Sequence, residues 1–115
     1  KVWVVGFSFG AFIALNLLMR RPEIQNFIAI SPPADKYDFS FLAPCPVSGM
    51  IMQGDNDDIV NETDVALFAN KLDAQRSISI KYSKVKGADH FFTDKLDIVN
   101  NTIKKYVSNT LISRT

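Results

Sequence analysis

The sequence has a single cysteine, Cys45, and a single histidine, His90, in 115 residues. One thiol excludes an intrachain disulfide and a cysteine-only metal site, and it suits a reducing compartment, so a cytoplasmic location is expected. No apolar run approaches the roughly 18 residues needed to cross a bilayer, and no signal peptide pattern is present, so no membrane span is expected. An excess of one charge is also absent: 13 basic and 12 acidic residues leave a formal net charge of +1. Such a balance offers nothing to draw in nucleic acid or an anionic surface, and it is compatible with a small neutral substrate. Repeats, low-complexity tracts and flexible interdomain linkers are missing, and the length holds one domain with a modest core. The chain opens at Lys1, already inside an apolar run and without an initiator Met. It is therefore expected to be part of a longer domain.

What the sequence does have is concentrated near its start. Val2-Trp3-Val4-Val5 is short, apolar and β-branched, and reads as a buried strand. It breaks into Gly6-Phe7-Ser8-Phe9-Gly10, a Gly-x-Ser-x-Gly pattern, and restarts as the helix formers Ala11 to Arg20, with no internal Gly or Pro. Strand, tight turn and helix form the context of a nucleophile elbow, in which a serine is held at the sheet's C-terminal edge. Both glycines are expected where the strained turn brings backbone segments too close for side chains. The plainer reading makes Ser8 a turn serine capping the next helix.

The rest of the chain alternates in the manner of an α/β domain. A helix is expected from about Phe9 to Arg20, apolar nearly all round and so covered on most faces. Phe27 to Ile30 reads as a second buried strand, stopped by Ser31-Pro32-Pro33. The connection Ala34 to Pro46 carries Tyr37, Phe39, Phe41 and Leu42, either as packing over the sheet or as a pocket wall. Cys45 lies between two prolines and reads as a buried free thiol. A third strand is expected over Val47 to Gln53, a helix capped by Asn61 or Thr63 and running to about Leu72, and a half-wet edge strand over Ser77 to Val85. The last helix is expected from about Asp94 to Asn109, with the stripe Leu96, Val99, Ile103, Tyr106 and Val107, and a frayed end from Ser108.

Two loops carry the remaining polar chemistry. Asp55-Asn56-Asp57-Asp58 is acidic enough to invite a calcium reading, but Ala66 stands at the twelfth position, where an EF-hand loop needs Glu. No metal is therefore expected there. His90 lies in the loop after the fourth strand, and as the sole histidine it has no competitor as a base. Serine hydrolysis needs a nucleophile, a base to accept its proton and a carboxylate to orient that base, and elbow-type hydrolases supply them in the order Ser, acid, His. Ser8, an aspartate of the 55–58 loop and His90 follow that order.

Four stretches together resemble the C-terminal half of α/β-hydrolases, specifically the small hydrolases related to dienelactone hydrolase and short carboxylesterases. They are Gly6 to Ala11, Ile30-Ser31-Pro32-Pro33, Gln53 to Val60, and Gly87-Ala88-Asp89-His90-Phe91-Phe92. The resemblance implies a partial α/β-hydrolase fold over residues 1–115, with a mostly parallel sheet of about four strands and flanking helices. It implies Asp57 as the acid, because in that family the acid lies three residues after the strand-ending glycine, here Gly54, and precedes apolar residues such as Ile59 and Val60. Asn61 departs from the family's usual proline, and an N-cap does the same local work. The catalytic set implied is Ser8, Asp57 and His90, with the backbone N–H of Phe9 in the oxyanion hole, and neither cofactor nor metal. Phe7, Phe39 and Phe41 are candidates for an apolar wall around an acyl substrate, with Phe9 beside them. Thioesterase, peptidase or dienelactone chemistry could use the same three residues.

The resemblance also implies about four further strands ahead of this stretch, and with them the second oxyanion donor; losing one such donor typically costs about 100- to 1,000-fold in rate. Sequential parallel strands with right-handed crossovers would put every connecting segment on one sheet face and leave only the last helix for the other. The Val2–Val5 strand then becomes a hydrophobic edge, so a homodimer or other association through that edge is expected, and a non-catalytic binding fragment is the rival to the enzyme.

Overall fold

In the computed structural model, which describes residues 2–113, four parallel strands lie in the order β1-β2-β3-β4. They are β1 (Val2–Phe7), β2 (Ile24–Ile30), β3 (Gly49–Gly54) and β4 (Ile80–Val85). Three helices accompany them: α1 (Phe9–Leu18), α2 (Glu62–Asp73) and α3 (Leu96–Ser113), with a short 3-10 turn at Ser40–Leu42. The expected α/β architecture with a four-stranded parallel sheet is what the chain forms.

Each strand alternates its side chains between two faces, and each face has its own core. On one, Ala11, Leu15 and Leu18 of α1 and Val65, Phe68 and Leu72 of α2 meet Phe27, Ala29 and Ile51, with Phe39, Leu42 and Cys45 of the connecting loop filled in among them. On the other, Ile28, Met50, Met52 and Val85 meet Val99, backed by Ile103, Tyr106 and Val107 of α3. The connections β1–β2, β2–β3 and β3–β4 therefore share one face and α3 alone serves the other, as right-handed crossovers dictate. Tyr106 anchors α3 twice over, its ring edge-on to Trp3 and its hydroxyl donating to the buried Asn26 Oδ1 at 2.8 Å.

Several boundaries differ from expectation. The first helix ends at Leu18, not Arg20, and Arg20 N–H closes the turn on Leu17 O. It is also not covered on most faces: Phe9, Ile13 and Leu17 are exposed, Ile13 by 51%. The sheet takes one side of α1, and among the described residues no second layer takes the other. β2 begins at Ile24, earlier than Phe27, because Ile24 and Asn26 already pair with Val2 and Trp3. β4 begins at Ile80 because its first partner, Gly49, is also the first residue of β3. Asn61 is the cap of α2, its side chain accepting from Thr63 N–H. The last helix does not fray at Ser108 and continues to Ser113; Arg114 and Thr115, like Lys1, lie outside the described residues. Leu96, a member of the expected stripe, stands 62% exposed at the start of α3.

Candidate active site

The C-terminal ends of β1, β3 and β4 deliver three side chains to one point. Ser8 follows β1 directly and takes φ 56° and ψ −124°, a backbone region costly for any residue with a side chain. Its N–H donates to Ile30 O at 2.8 Å and its carbonyl accepts from Ala11 N–H at 2.9 Å, so both sides of the turn are pinned. Its hydroxyl makes no cap to α1. Instead Ser8 Oγ lies 2.9 Å from His90 Nε2. The cap reading of this serine fails on that contact.

Gly6 makes the turn possible. A Cβ on Gly6 would come within 2.3 Å of Gly10 O and 2.6 Å of Ala11 Cα, so only glycine lets the strand pass under the helix start. The expectation for Gly10 does not hold, since a Cβ there would meet nothing within 4 Å.

His90 is held from both sides. Its ring is 3% exposed, and Nδ1 lies 2.8 Å from Asp57 Oδ2. A carboxylate only accepts, so Nδ1 carries the proton and Nε2 offers its lone pair to the Ser8 hydroxyl. The backbone carbonyl of His90 accepts from Ser31 Oγ at 3.1 Å, with Ser31 itself buried at φ 50°. Gly54 lets the two loops meet, since a Cβ on it would strike Ala88 O at 2.3 Å, two residues before His90.

The Asp57 carboxylate is fully buried and saturated with donors. Oδ1 accepts from Ile59 N–H and Val60 N–H, each at 2.8 Å, and Oδ2 accepts from Gln53 Nε2 at 2.9 Å as well as from His90. Burial pushes its proton affinity up, but the bonds from Val60, His90, Ile59 and Gln53 together outweigh it and hold the carboxyl below the ordinary aspartate value. Asp57 is thus an anion at neutral pH. The neighbouring aspartates are occupied elsewhere or exposed: Asp55 Oδ1 accepts from Gly87 N–H at 2.6 Å, and Asp58 is exposed. With these carboxylates engaged separately, no group of three metal-ligating side chains forms among the described residues.

Phe9 is the first residue of α1, so its N–H has no intrahelical acceptor and stands beside Ser8 as a free donor. Phe7 packs against the His90 ring at 5.3 Å and against Phe91 at 6.0 Å. The Phe9 ring lies tilted against those of Phe12 and Tyr37, at 6.0 and 5.4 Å. Phe39 is buried among Phe12, Phe41 and Phe68, and Phe41 packs on Phe12 and Phe39. A cavity of about 970 Å³ between the 34–46 connection and α2 includes Phe39, Leu42 and Phe68 in its wall, and none of Ser8, Asp57 and His90. Sequence reasoning assigned no role to Gln53, Ser31 or Phe91. Gln53 carried a signal nonetheless, as an amide closing the apolar run Met50-Ile51-Met52.

No protein-family model matches the chain. An uncharacterized protein of Rickettsia prowazekii (strain Madrid E) is 55% identical over 108 residues, covering 90% of this chain and 45% of that protein. A crystal structure of a candidate α/β hydrolase of unknown function from Agrobacterium tumefaciens superposes with a TM-score of 0.94 at 47% identity, over 96% of this chain and 51% of that one. A lidless α/β serine hydrolase from Xanthomonas campestris superposes with a TM-score of 0.80 at 32% identity, over 93% of this chain and 46% of that one. The chain belongs to the α/β-hydrolase superfamily. It spans about half the length of these relatives. Within the superfamily's fold, the strand ends that carry Ser8, Asp57 and His90 are where open parallel sheets place their sites.

Proposed function

We propose that the chain carries the nucleophile, base and acid of a serine hydrolase that cleaves an ester or related acyl bond of a small molecule. The observation that supports this reading is the unbroken line of hydrogen bonds from Ser8 Oγ through His90 to Asp57, 2.9 and 2.8 Å long. Ser8 Oγ attacks the acyl carbon while its proton passes to His90 Nε2, and the charged imidazole faces the Asp57 carboxylate. The tetrahedral oxyanion lies toward Phe9 N–H. His90 then returns the proton to the leaving oxygen, and water, activated by the same imidazole, releases the acid and restores Ser8. Phe7 and Phe91, exposed beside His90, offer an apolar surface to the acyl or leaving group. The single buried thiol of Cys45, whose proton affinity burial pushes up, is consistent with a cytoplasmic setting.

A fluorophosphonate probe tests the reading. It is expected to give one covalent adduct per chain, on Ser8, and Ser8→Ala is expected to abolish it in intact-mass spectra. Labelling that persists in Ser8→Ala, or no labelling of the unaltered chain by an excess of probe, counts against the mechanism.

A second property is supported by β1. Among the described residues this strand pairs with β2 alone and leaves its other edge unpaired, and Val2, Val5 and Phe7 are exposed along it, Val5 by 58%. An exposed apolar edge is a template for another strand. The chain is expected to self-associate through β1, with sedimentation velocity showing a concentration-dependent dimer that Val5→Lys shifts toward monomer. A monomer at all concentrations would remove this property and leave the hydrolase reading untouched.

A further inference from the structure

Gln53 is the penultimate residue of β3, its side chain completely buried at the base of the loop that presents Asp57. Its Nε2 lies 2.9 Å from Asp57 Oδ2 and 3.2 Å from Gly54 O. Both neighbours are acceptors, so the amide has one sensible orientation, with the NH₂ group facing them. Among the described residues, no group donates to its buried Oε1. An orphaned buried acceptor costs about 1–3 kcal/mol, which offsets what the amide gains through its donated bonds, so the side chain adds little net stability. A glutamine placed here for packing alone is therefore poorly explained. Its useful atom is the one that reaches Asp57.

That atom shares Asp57 Oδ2 with His90 Nδ1. A carboxylate oxygen that receives two donors gives less of its charge to each. From this geometry we infer that Gln53 is a positioning residue, whose amide both fixes the Asp57 carboxylate and moderates its pull on the His90 proton. This rests on the hydrolase reading and adds a function for the moderation: a base works only while it is neutral, and an unmoderated carboxylate would keep His90 charged at higher pH. The other charged groups near the two loops do not share this role. Asp55 is engaged by Gly87 N–H, Asp89 by Phe91 N–H and Thr93, Lys36 by Ile59 O and Asp35, and Asp58 is exposed.

The test uses the full chain and two variants of nearly unchanged volume. Gln53→Met removes the donor and the orphaned acceptor together. It is expected to leave the melting temperature little changed, to move the low-field Nδ1 proton of His90 further downfield in ¹H NMR, and to shift the acid limb of Ser8 labelling to higher pH. Labelling should slow about three- to tenfold at pH 6 and less than twofold above pH 8.5. Gln53→Glu keeps a donor only while the introduced carboxyl is protonated. It should match the unaltered chain at low pH and depart from it as that proton is lost. A folded variant of either kind with unchanged Nδ1 proton and pH profile overturns the role, and so does loss of the native fold in both, which would make Gln53 structural. Absence of the low-field proton and of labelling in the unaltered chain strikes the hydrolase reading instead, so the two failures are separable.

Discussion

Asp57→Asn is expected to lower the second-order rate of Ser8 acylation by about 10⁴-fold, against less than about threefold for Asp55→Asn. The contrast follows from what each carboxylate touches. An asparagine at 57 can keep its carbonyl oxygen on Ile59 N–H and Val60 N–H, the two bonds that shape the loop. Its NH₂ group must then face His90 Nδ1 and Gln53 Nε2, where a donor meets donors. His90 answers by moving its proton to Nε2, and the nitrogen beside Ser8 Oγ loses the lone pair that would take the serine proton. Nothing need unfold for the rate to collapse. Asparagine at 55, by contrast, retains an oxygen for Gly87 N–H and stands outside the Ser8–His90 line. Rates of fluorophosphonate inactivation, with circular dichroism to confirm the fold, decide the matter. A larger loss in Asp55→Asn would transfer the acid to that residue.

The same loop shows how far the sequence could be read. Ser8 and His90 stood out from local pattern and from His90 being the only histidine, and both lie where strand ends bring them together. Asp57 could be separated from Asp55 and Asp58 only through the resemblance, because three aspartates in four residues carry no record of which one turns inward. What turns Asp57 inward is a pair of backbone N–H groups on one oxygen, an arrangement that exists only once the loop has closed. Periodicity had a similar limit elsewhere. It found the helices, but it could not tell how far the sheet beneath them extends or which helix faces stay bare. Leu96 fits the α3 stripe and stands in solvent, and α1 is apolar on a side that nothing among the described residues covers. Phe39 and Phe41 were equally ambiguous, since an aromatic in a connection reads the same whether it lines a pocket or fills a core. Phe39 in fact does both, packing on the rings of Phe12 and Phe68 and forming part of a cavity wall.

Gly6→Ala is expected to cost the chain about 3 kcal/mol or more of stability, while Gly10→Ala is expected to be neutral or to stabilise it by up to about 1 kcal/mol. The two glycines look alike in the Gly-x-Ser-x-Gly pattern. The atoms around them do not. A Cβ on Gly6 would press on Gly10 O and Ala11 Cα, main-chain atoms of the first turn of α1, and neither can swing aside as a side-chain end could. Relief requires α1 to lift from β1, and the contacts that resist are buried ones, Ala11 and Leu15 at 0% exposure against the sheet. Because Ser8 sits between the two elements, any lift also draws its hydroxyl away from His90 Nε2, so labelling should fall even in the fraction that stays folded. Gly10 lies in the first turn of α1 with open space at its Cβ position and no positive φ, so alanine there gains helix propensity and meets no obstacle. Urea denaturation of the two variants measures the difference directly. Equal losses in both would mean that the turn needs glycine for flexibility at each position, and the close approach of strand and helix at Gly6 would no longer explain the pattern.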